Sequence, residues 1–281
     1  MMKMQNYLKT IRTTYSNSDQ PHKYAFPIIL FFIILFSVSL GIVYYISQRD
    51  LITIAPETLC PKDIPPSEIN VLLLDMTDEF SEPQRLKVIN EFEKIRSGIQ
   101  KFGRIEVYKV DILENRVTIP SLTICNPGTG ADLNKYYQNP KLAKKQWDQF
   151  ANRLDSELQN LMSIKGSRVS PIFEAIQSTA LRTFNRPAYN ALPKHLIIVS
   201  DLLQNVPGKL SQYENMMSFQ EFKKTPYFSD VRCDLTSVKI TILYLVRPEP
   251  QKWPDHRKFW ESYFLEQGAV IELLEPVYGA N

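Results

Sequence analysis

Three cysteines, three histidines and nine glycines are all that this 281-residue chain holds of the residue types from which most compact catalytic motifs are built. Cys60, Cys125 and Cys233 show no Cys-x-x-Cys spacing and have no histidine nearby, and His22, His195 and His256 stand far apart, which argues against a zinc site. There is no Gly-x-Ser-x-Gly elbow, no phosphate-binding loop and no His-Glu-x-x-His, so the common hydrolase, nucleotide and metalloprotease signatures are missing together. No Asn-x-Ser/Thr acceptor occurs, which suits a bacterial protein facing the periplasm. Repeats of fixed period and low-complexity tracts are absent. Charge of one sign is scarce as well: the formal net charge is +3, and basic residues come as short pairs such as Lys144-Lys145 and Lys223-Lys224 among scattered acids, so nucleic acid is not an expected partner.

What the sequence does have is one long apolar run. Residues 25–46 read AFPIILFFIILFSVSLGIVYYI without a charge. At 1.5 Å rise per residue such a run crosses a hydrocarbon core of about 30 Å as a transmembrane helix. It exceeds the apolar region of a signal peptide, and no small-x-small cleavage site follows it. Lys3, Lys9, Arg12 and Lys23 precede the span, whereas only Arg49 and Lys62 lie close after it, among Asp50, Glu57 and Asp63. The positive-inside rule then places the N-terminal segment, 1–24, in the cytoplasm, and the rest in the periplasm or outside the cell. Tyr24, Tyr44 and Tyr45 stand where interfacial anchors would. Over 47–69, Pro56, Pro61, Pro65 and Pro66 discourage helix and predict a semi-rigid stalk.

From residue 70 to 281 the pattern is that of one domain. Asn70-Val-Leu-Leu-Leu-Asp75 is a continuous apolar run closed by an acid, the mark of a strand buried on both faces of a parallel sheet. Ser81-Glu-Pro-Gln84 reads as a capping box, and Leu86, Ile89, Phe92, Ile95 and Ile99 follow at helical spacing. Strands are predicted over 104–110 and 117–125, and a helix over 140–162 with Trp147, Phe150, Leu154, Leu158 and Leu161 on one face. Ser170-Pro171 opens a helix carrying Ile172, Ile176 and Phe184. The run-then-acid pattern recurs in Lys194-His-Leu-Ile-Ile-Val-Ser-Asp201; a strand over 238–246 follows, then a helix from about Pro254 to a Gly268 cap and a strand over 269–274. Strands alternating with helices predict an α/β fold with a doubly wound, mostly parallel sheet, helices on both faces and a site at the carboxyl ends of the strands.

Three segments would meet there: Asp75-Met-Thr77-Asp78-Glu79, the turn at Ser170, and Ser200-Asp201. All offer oxygen ligands of the kind a hard cation such as magnesium takes. Here the sequence resembles the von Willebrand factor A fold with its metal-ion-dependent adhesion site, in which Asp-x-Ser/Thr-x-Ser follows the first strand, a later loop adds a hydroxyl and an aspartate follows the fourth strand. The resemblance spans about 70–276. It implies metal ligands at Asp75, Thr77, Ser170 and Asp201, with Asp78 and Glu79 as neighbours and a bound Mg2+ or Mn2+. Glu79 stands where the family has the motif's last serine.

Each residue also has a plainer reading. Asp75 or Asp201 can cap a helix or bind a loop amide, Ser170 can serve as an N-cap, Thr77 can be a turn hydroxyl, and Asp78 and Glu79 can be a solvated helix entrance. The resemblance implies a membrane-tethered, non-enzymatic module that engages an acidic group of a partner protein through its cation. One alternative is a magnesium-dependent phosphohydrolase of the haloacid-dehalogenase kind, which needs Asp-x-Asp where this chain has Asp75-Met-Thr77. The other is a metal-free scaffold of the same fold, for which Glu79 speaks. In an oxidising compartment one disulfide is expected, with Cys60 to Cys125 the favoured pair.

Overall fold

The structure, a computed structural model, describes residues 22–49, 52–110, 119–130, 139–163, 166–214, 216–247, 251 and 255–279. The chain divides into two compact units, Met1–Ile52 and Thr53–Asn281. In the first, helix α1 (His22–Arg49) contains the stretch Phe26–Tyr45, which is long and apolar enough to cross a membrane and has none of its surface buried.

The second unit is built on a six-stranded sheet. Strands β1 (Ile69–Asp75), β2 (Arg104–Val110), β3 (Leu122–Cys125), β4 (Lys194–Ser200), β7 (Val238–Leu245) and β8 (Val270–Val277) lie in the order β3-β2-β1-β4-β7-β8. Only β3 runs antiparallel, paired to β2. Every residue of β1 is buried, which is why it reads as an unbroken apolar run rather than an alternating one. Its side chains still alternate. Ile69, Val71 and Leu73 enter a core shared with Ile198, Phe173 and Trp260, while Leu72 and Leu74 enter a second core with Val199, Phe92 and Leu154. The sheet is thus the middle of three layers.

Helices α2 (Glu82–Gly98) and α3 (Pro140–Met162) supply the second core, and α4 (Ile172–Thr179), α5 (Phe219–Phe222), α6 (Pro226–Asp230) and α7 (Asp255–Glu266) the first. The Ser81 capping box opens α2, Ser81 Oγ accepting from Gln84 N and Gln84 Oε1 accepting from Ser81 N. The buried face of α2 differs from the one expected: Gln84, Val88 and Phe92 face inward, and Leu86 is exposed. The capping box fixes this rotation, because it holds Gln84 against the Val277 carbonyl and so turns Leu86 outward.

Other boundaries shift with local chemistry. The helix expected to run on to Phe184 ends at Thr179 and continues as a π-turn over Ala180–Phe184. The last strand extends to Val277, since β7 continues beside it to Leu245. Residues 117 and 118 of the predicted third strand lie outside the described residues. The segment read as a stalk is, from Thr53 on, part of the second unit: Ile54 bridges Pro61, Cys125 N donates to the Thr58 carbonyl, and Cys60 is disulfide-bonded to Cys125. A short hairpin, β5 (Asn205–Val206) and β6 (Leu210–Ser211), follows β4 and gave no signal in the sequence.

Candidate functional site

The chain passes from β1 to β2 on one side and returns to β4 on the other, so the strand order reverses between β1 and β4. At such a switch point the loops leaving the two strands diverge and open a crevice outside their carboxyl ends. Asp75 is the last residue of β1, Ser200 is the last of β4, and Asp201 follows it. The sequence reading therefore falls on the one place where parallel-sheet geometry makes room.

Asp75 is 3% exposed, and hydroxyls surround its carboxylate. Oδ1 accepts from Thr77 N at 3.1 Å and from Thr77 Oγ1 at 2.6 Å. Oδ2 accepts from Ser200 Oγ at 2.7 Å and, more weakly, from Ser170 Oγ at 3.4 Å. Ser170 does not cap α4. Its backbone forms an antiparallel bridge with Asn205, and this turns the hydroxyl toward Asp75. The β5–β6 hairpin thus positions Ser170.

Asp201 is buried beside Asp75. Its Oδ1 accepts from Leu203 N at 3.0 Å, while Oδ2 is buried and accepts no hydrogen bond. The Arg247 guanidinium approaches that oxygen, with Nε at 3.5 Å. Burial raises the proton affinity of Asp75, against hydrogen bonds from Ser200 and Thr77 that lower it. Asp201 is pushed up further, first by burial, then by the charge of Asp75 and then by Asp78. Asp78 also accepts from Tyr213 OH at 2.7 Å, and burial with the surrounding carboxylates drives that phenol upward. Glu79 is exposed, and only its backbone carbonyl reaches the site's surroundings, accepting from Arg247 Nη2 at 3.0 Å.

The loop carrying Asp201 is held from below. Leu202 is fully buried with φ at +58°, a left-handed conformation uncommon for a branched side chain. Its carbonyl accepts from Trp260 Nε1 at 2.7 Å and from His256 Nε2 at 3.0 Å. Burial brings His256 down to about 4, so the ring is neutral, with Nδ1 left to accept from Tyr244 OH. Gln251 completes the hold, donating to the Asp201 carbonyl at 2.9 Å.

Beside the carboxylates opens a cleft of about 370 Å3, walled by Thr77, Asp78, Ser167, Arg168, Asn205 and Tyr213. Gly166 forms part of its floor by necessity: a Cβ there would stand 2.2 Å from the Thr77 carbonyl oxygen.

Asp75, Thr77, Ser170 and Asp201 are therefore gathered at one edge, Asp78 borders them, and Glu79 is exposed. Ser200 was placed at the edge only as part of the Ser200-Asp201 segment, and Tyr213 and Arg247 are the residues that sequence reasoning left without a role. Arg247 had a readable signal, since it stands just after β7 as Asp201 stands just after β4. Tyr213 had none. Among the described residues no three His, Cys, Asp or Glu side chains are grouped to hold a metal ion, so a cation here would depend on the hydroxyls of Thr77, Ser170 and Ser200 as well as the acids. Octahedral Mg2+ with ligands at 2.0–2.1 Å needs neighbouring oxygens about 2.9 Å apart. The pairs around Asp75 lie at 2.6, 2.7 and 3.4 Å, and Asp201 Oδ2 is an acceptor without a donor. That donor set fits a hard divalent ion.

The disulfide lies at the opposite edge. Cys125 is in register with Arg104, the first residue of β2, at the amino ends of the parallel strands. Cys233 is a free, half-buried thiol that burial pushes up to about 12.

No family model matches the chain, and no curated protein matches it. Among solved structures it is similar to the conserved hypothetical protein BatB from Bacteroides thetaiotaomicron, at 12% identity and a TM-score of 0.36, over 74% of this chain and 91% of that one. A likeness that distant carries no argument. By its own strand order the second unit is a mostly parallel α/β sheet flanked by helices, with two buried carboxylates at its switch point, and an apolar helix long enough to cross a membrane precedes it.

Proposed function

We propose that the chain is a membrane-tethered protein-binding module of the von Willebrand factor A kind, with its N-terminus cytoplasmic and its α/β domain in the periplasm or outside the cell. Asp75, Thr77, Ser170 and Asp201, joined by Ser200, would hold Mg2+ or Mn2+, and the cation would engage an acidic group of the partner. The observation that carries this reading is Asp201 Oδ2, an acceptor buried without a hydrogen bond beside a second buried carboxylate. Two adjacent acids withdrawn from water are costly unless a positive charge or protons compensate them. The adjoining cleft gives a partner's side chain a way in, and Arg168 at its wall is exposed.

A hydrolase is less well supported. Asp75 is almost wholly buried, both of its oxygens are engaged by hydroxyls, and position 77 carries no carboxylate to act as acid and base. The metal-free scaffold has a specific observation in its favour, the ion pair between Arg247 and Asp201.

The test is a titration of the full-length chain, in detergent micelles, with Mg2+ and Mn2+, following thermal unfolding of the wild type and of Asp75→Ala with Asp201→Ala. A ligand at a hundredfold excess over its dissociation constant stabilises the folded state by about 2.7 kcal/mol. The wild type should gain on that scale and the double variant should not. Equal responses, or no response in either, would make the metal-free scaffold the better account.

A further inference from the structure

Arg247 leaves the end of β7 and reaches three separate elements. Its Nε lies 3.5 Å from Asp201 Oδ2, its Nη1 donates to Gln84 Oε1 at 3.1 Å at the start of α2, and its Nη2 donates to the Glu79 carbonyl at 3.0 Å in the loop after β1. Its backbone is anchored too, because Arg247 N donates to Gln251 Oε1 at 2.7 Å and Gln251 in turn holds the Asp201 carbonyl. A side chain placed this way is not a loose surface arginine. It presents a fixed positive charge to a carboxylate whose other charged neighbours are the acids Asp75 and Asp78.

We propose that Arg247 is a tethered counter-cation: in the metal-free site it pairs with Asp201 once that carboxyl has given up its proton, and it must withdraw from Oδ2 before a divalent ion takes that oxygen. The proposal rests on the metal-binding reading. Its physical basis is that one carboxylate oxygen does not accommodate a guanidinium and a doubly charged ion together, since like charges a few ångströms apart in a poorly hydrated site repel strongly. Two positions of Arg247 then correspond to two states of the carboxyl edge. With the guanidinium docked, the loop after β1, the start of α2 and the segment after β7 are tied together through one fork. With it released, the Glu79 carbonyl loses the guanidinium, Gln84 Oε1 keeps only its Ser81 donors, and the loop beside the cleft is freed to meet a partner. Metal loading and partner access would be linked through this one residue. The linkage also lowers the apparent affinity: where the metal-competent state is populated about one-tenth of the time, affinity falls about tenfold.

Mn2+ binding to the full-length chain in detergent micelles, read by the paramagnetic resonance signal of free Mn2+, tests the proposal in wild type, Arg247→Gln and Arg247→Lys. Arg247→Gln should bind Mn2+ about tenfold more tightly than wild type, and Arg247→Lys, which keeps the charge, should stay close to wild type. A measurement on the wild type guards against a variant that fails to fold: hydrogen exchange at Arg247 Nε should speed up several-fold at saturating Mg2+. Equal Mn2+ affinity in wild type and Arg247→Gln, with exchange at Nε unmoved by Mg2+, would overturn the role of Arg247 and leave the metal site standing. Equal tightening in the Gln and Lys variants would overturn the charge argument. Absence of Mn2+ binding in all three would remove the metal reading and this inference with it.

Discussion

Removing the Cys60–Cys125 disulfide has a cost that follows from the chain's connectivity. The bond joins residues 65 positions apart. In the chain-entropy model, a loop of that length restricts the unfolded ensemble by about 4 kcal/mol, a large part of the 5–15 kcal/mol typical of a domain. Local contacts keep the segment before β1 in place without the bond, so the native state gains little freedom and the loss is mainly that of the unfolded chain. Leu59 is buried at 2% exposure, Cys125 N donates to the Thr58 carbonyl at 2.8 Å, and Arg153 donates to the Glu57 carbonyl. Cys60→Ser with Cys125→Ser should therefore lose about 2–4 kcal/mol and still fold at room temperature. The assay is urea unfolding of the full-length chain in micelles, followed by tryptophan fluorescence, beside wild type with and without reductant. Reduced wild type should match the double variant. In the folded state Cys233 supplies little thiolate, because burial raises its thiol, and mildly acidic buffer keeps it from exchanging once urea exposes it. A loss below about 1 kcal/mol would refute the reasoning, because it would mean that local contacts alone close the loop in both states.

Two further outcomes can be checked on the same material. In chelator, Asp201 holds its proton above the ordinary value of 3.8, so the folded state binds more protons than the unfolded one, and stability from this group is complete below that value and lost as pH rises through the raised one. Thermal melts should therefore show Asp201→Asn, which does not titrate, gaining on wild type as pH rises above about 4, by up to about 1.4 kcal/mol per pH unit; a gap that stays constant or narrows would contradict this. Gly166→Ala should destabilise the domain by about 1–3 kcal/mol in the same melts and weaken any Mg2+ response, because its Cβ would displace the Thr77 carbonyl, and unchanged melting would refute that.

Much of the carboxyl edge was legible because a fully buried parallel strand leaves a long apolar signature that an acid ends sharply. Asp75 and Asp201 each stood out in this way, and the Ser81 capping box located the helix that follows the first strand. Where the structure departs from the pattern, a contact distant in sequence decides. Leu86 fits a helical stripe but faces solvent, because Gln84 is held by Val277 from the far end of the chain. Ser170 has the look of a cap, and only its bridge to Asn205 turns it into a partner of Asp75. The β5–β6 hairpin has two residues per strand, too few to show any alternation. The strand end before Arg247 was readable, but that its side chain reaches Asp201 is recorded by no periodicity.

Leu202 gives the site a property that composition would not suggest. A left-handed turn after an acidic strand end is ordinarily the place for glycine, whose freedom makes such turns pliable. Here a buried leucine takes the conformation, at a backbone cost of about 1–2 kcal/mol, because its side chain fills the core and its carbonyl is gripped by Trp260 and His256. The shape of the loop carrying Asp201 is imposed by the hydrophobic interior, and replacing Leu202 with glycine would relieve the backbone while emptying the space beneath it. A ligand arriving at Asp201 meets a backbone already in position, so little ordering entropy is lost there on binding, and affinity is set by charge and fit.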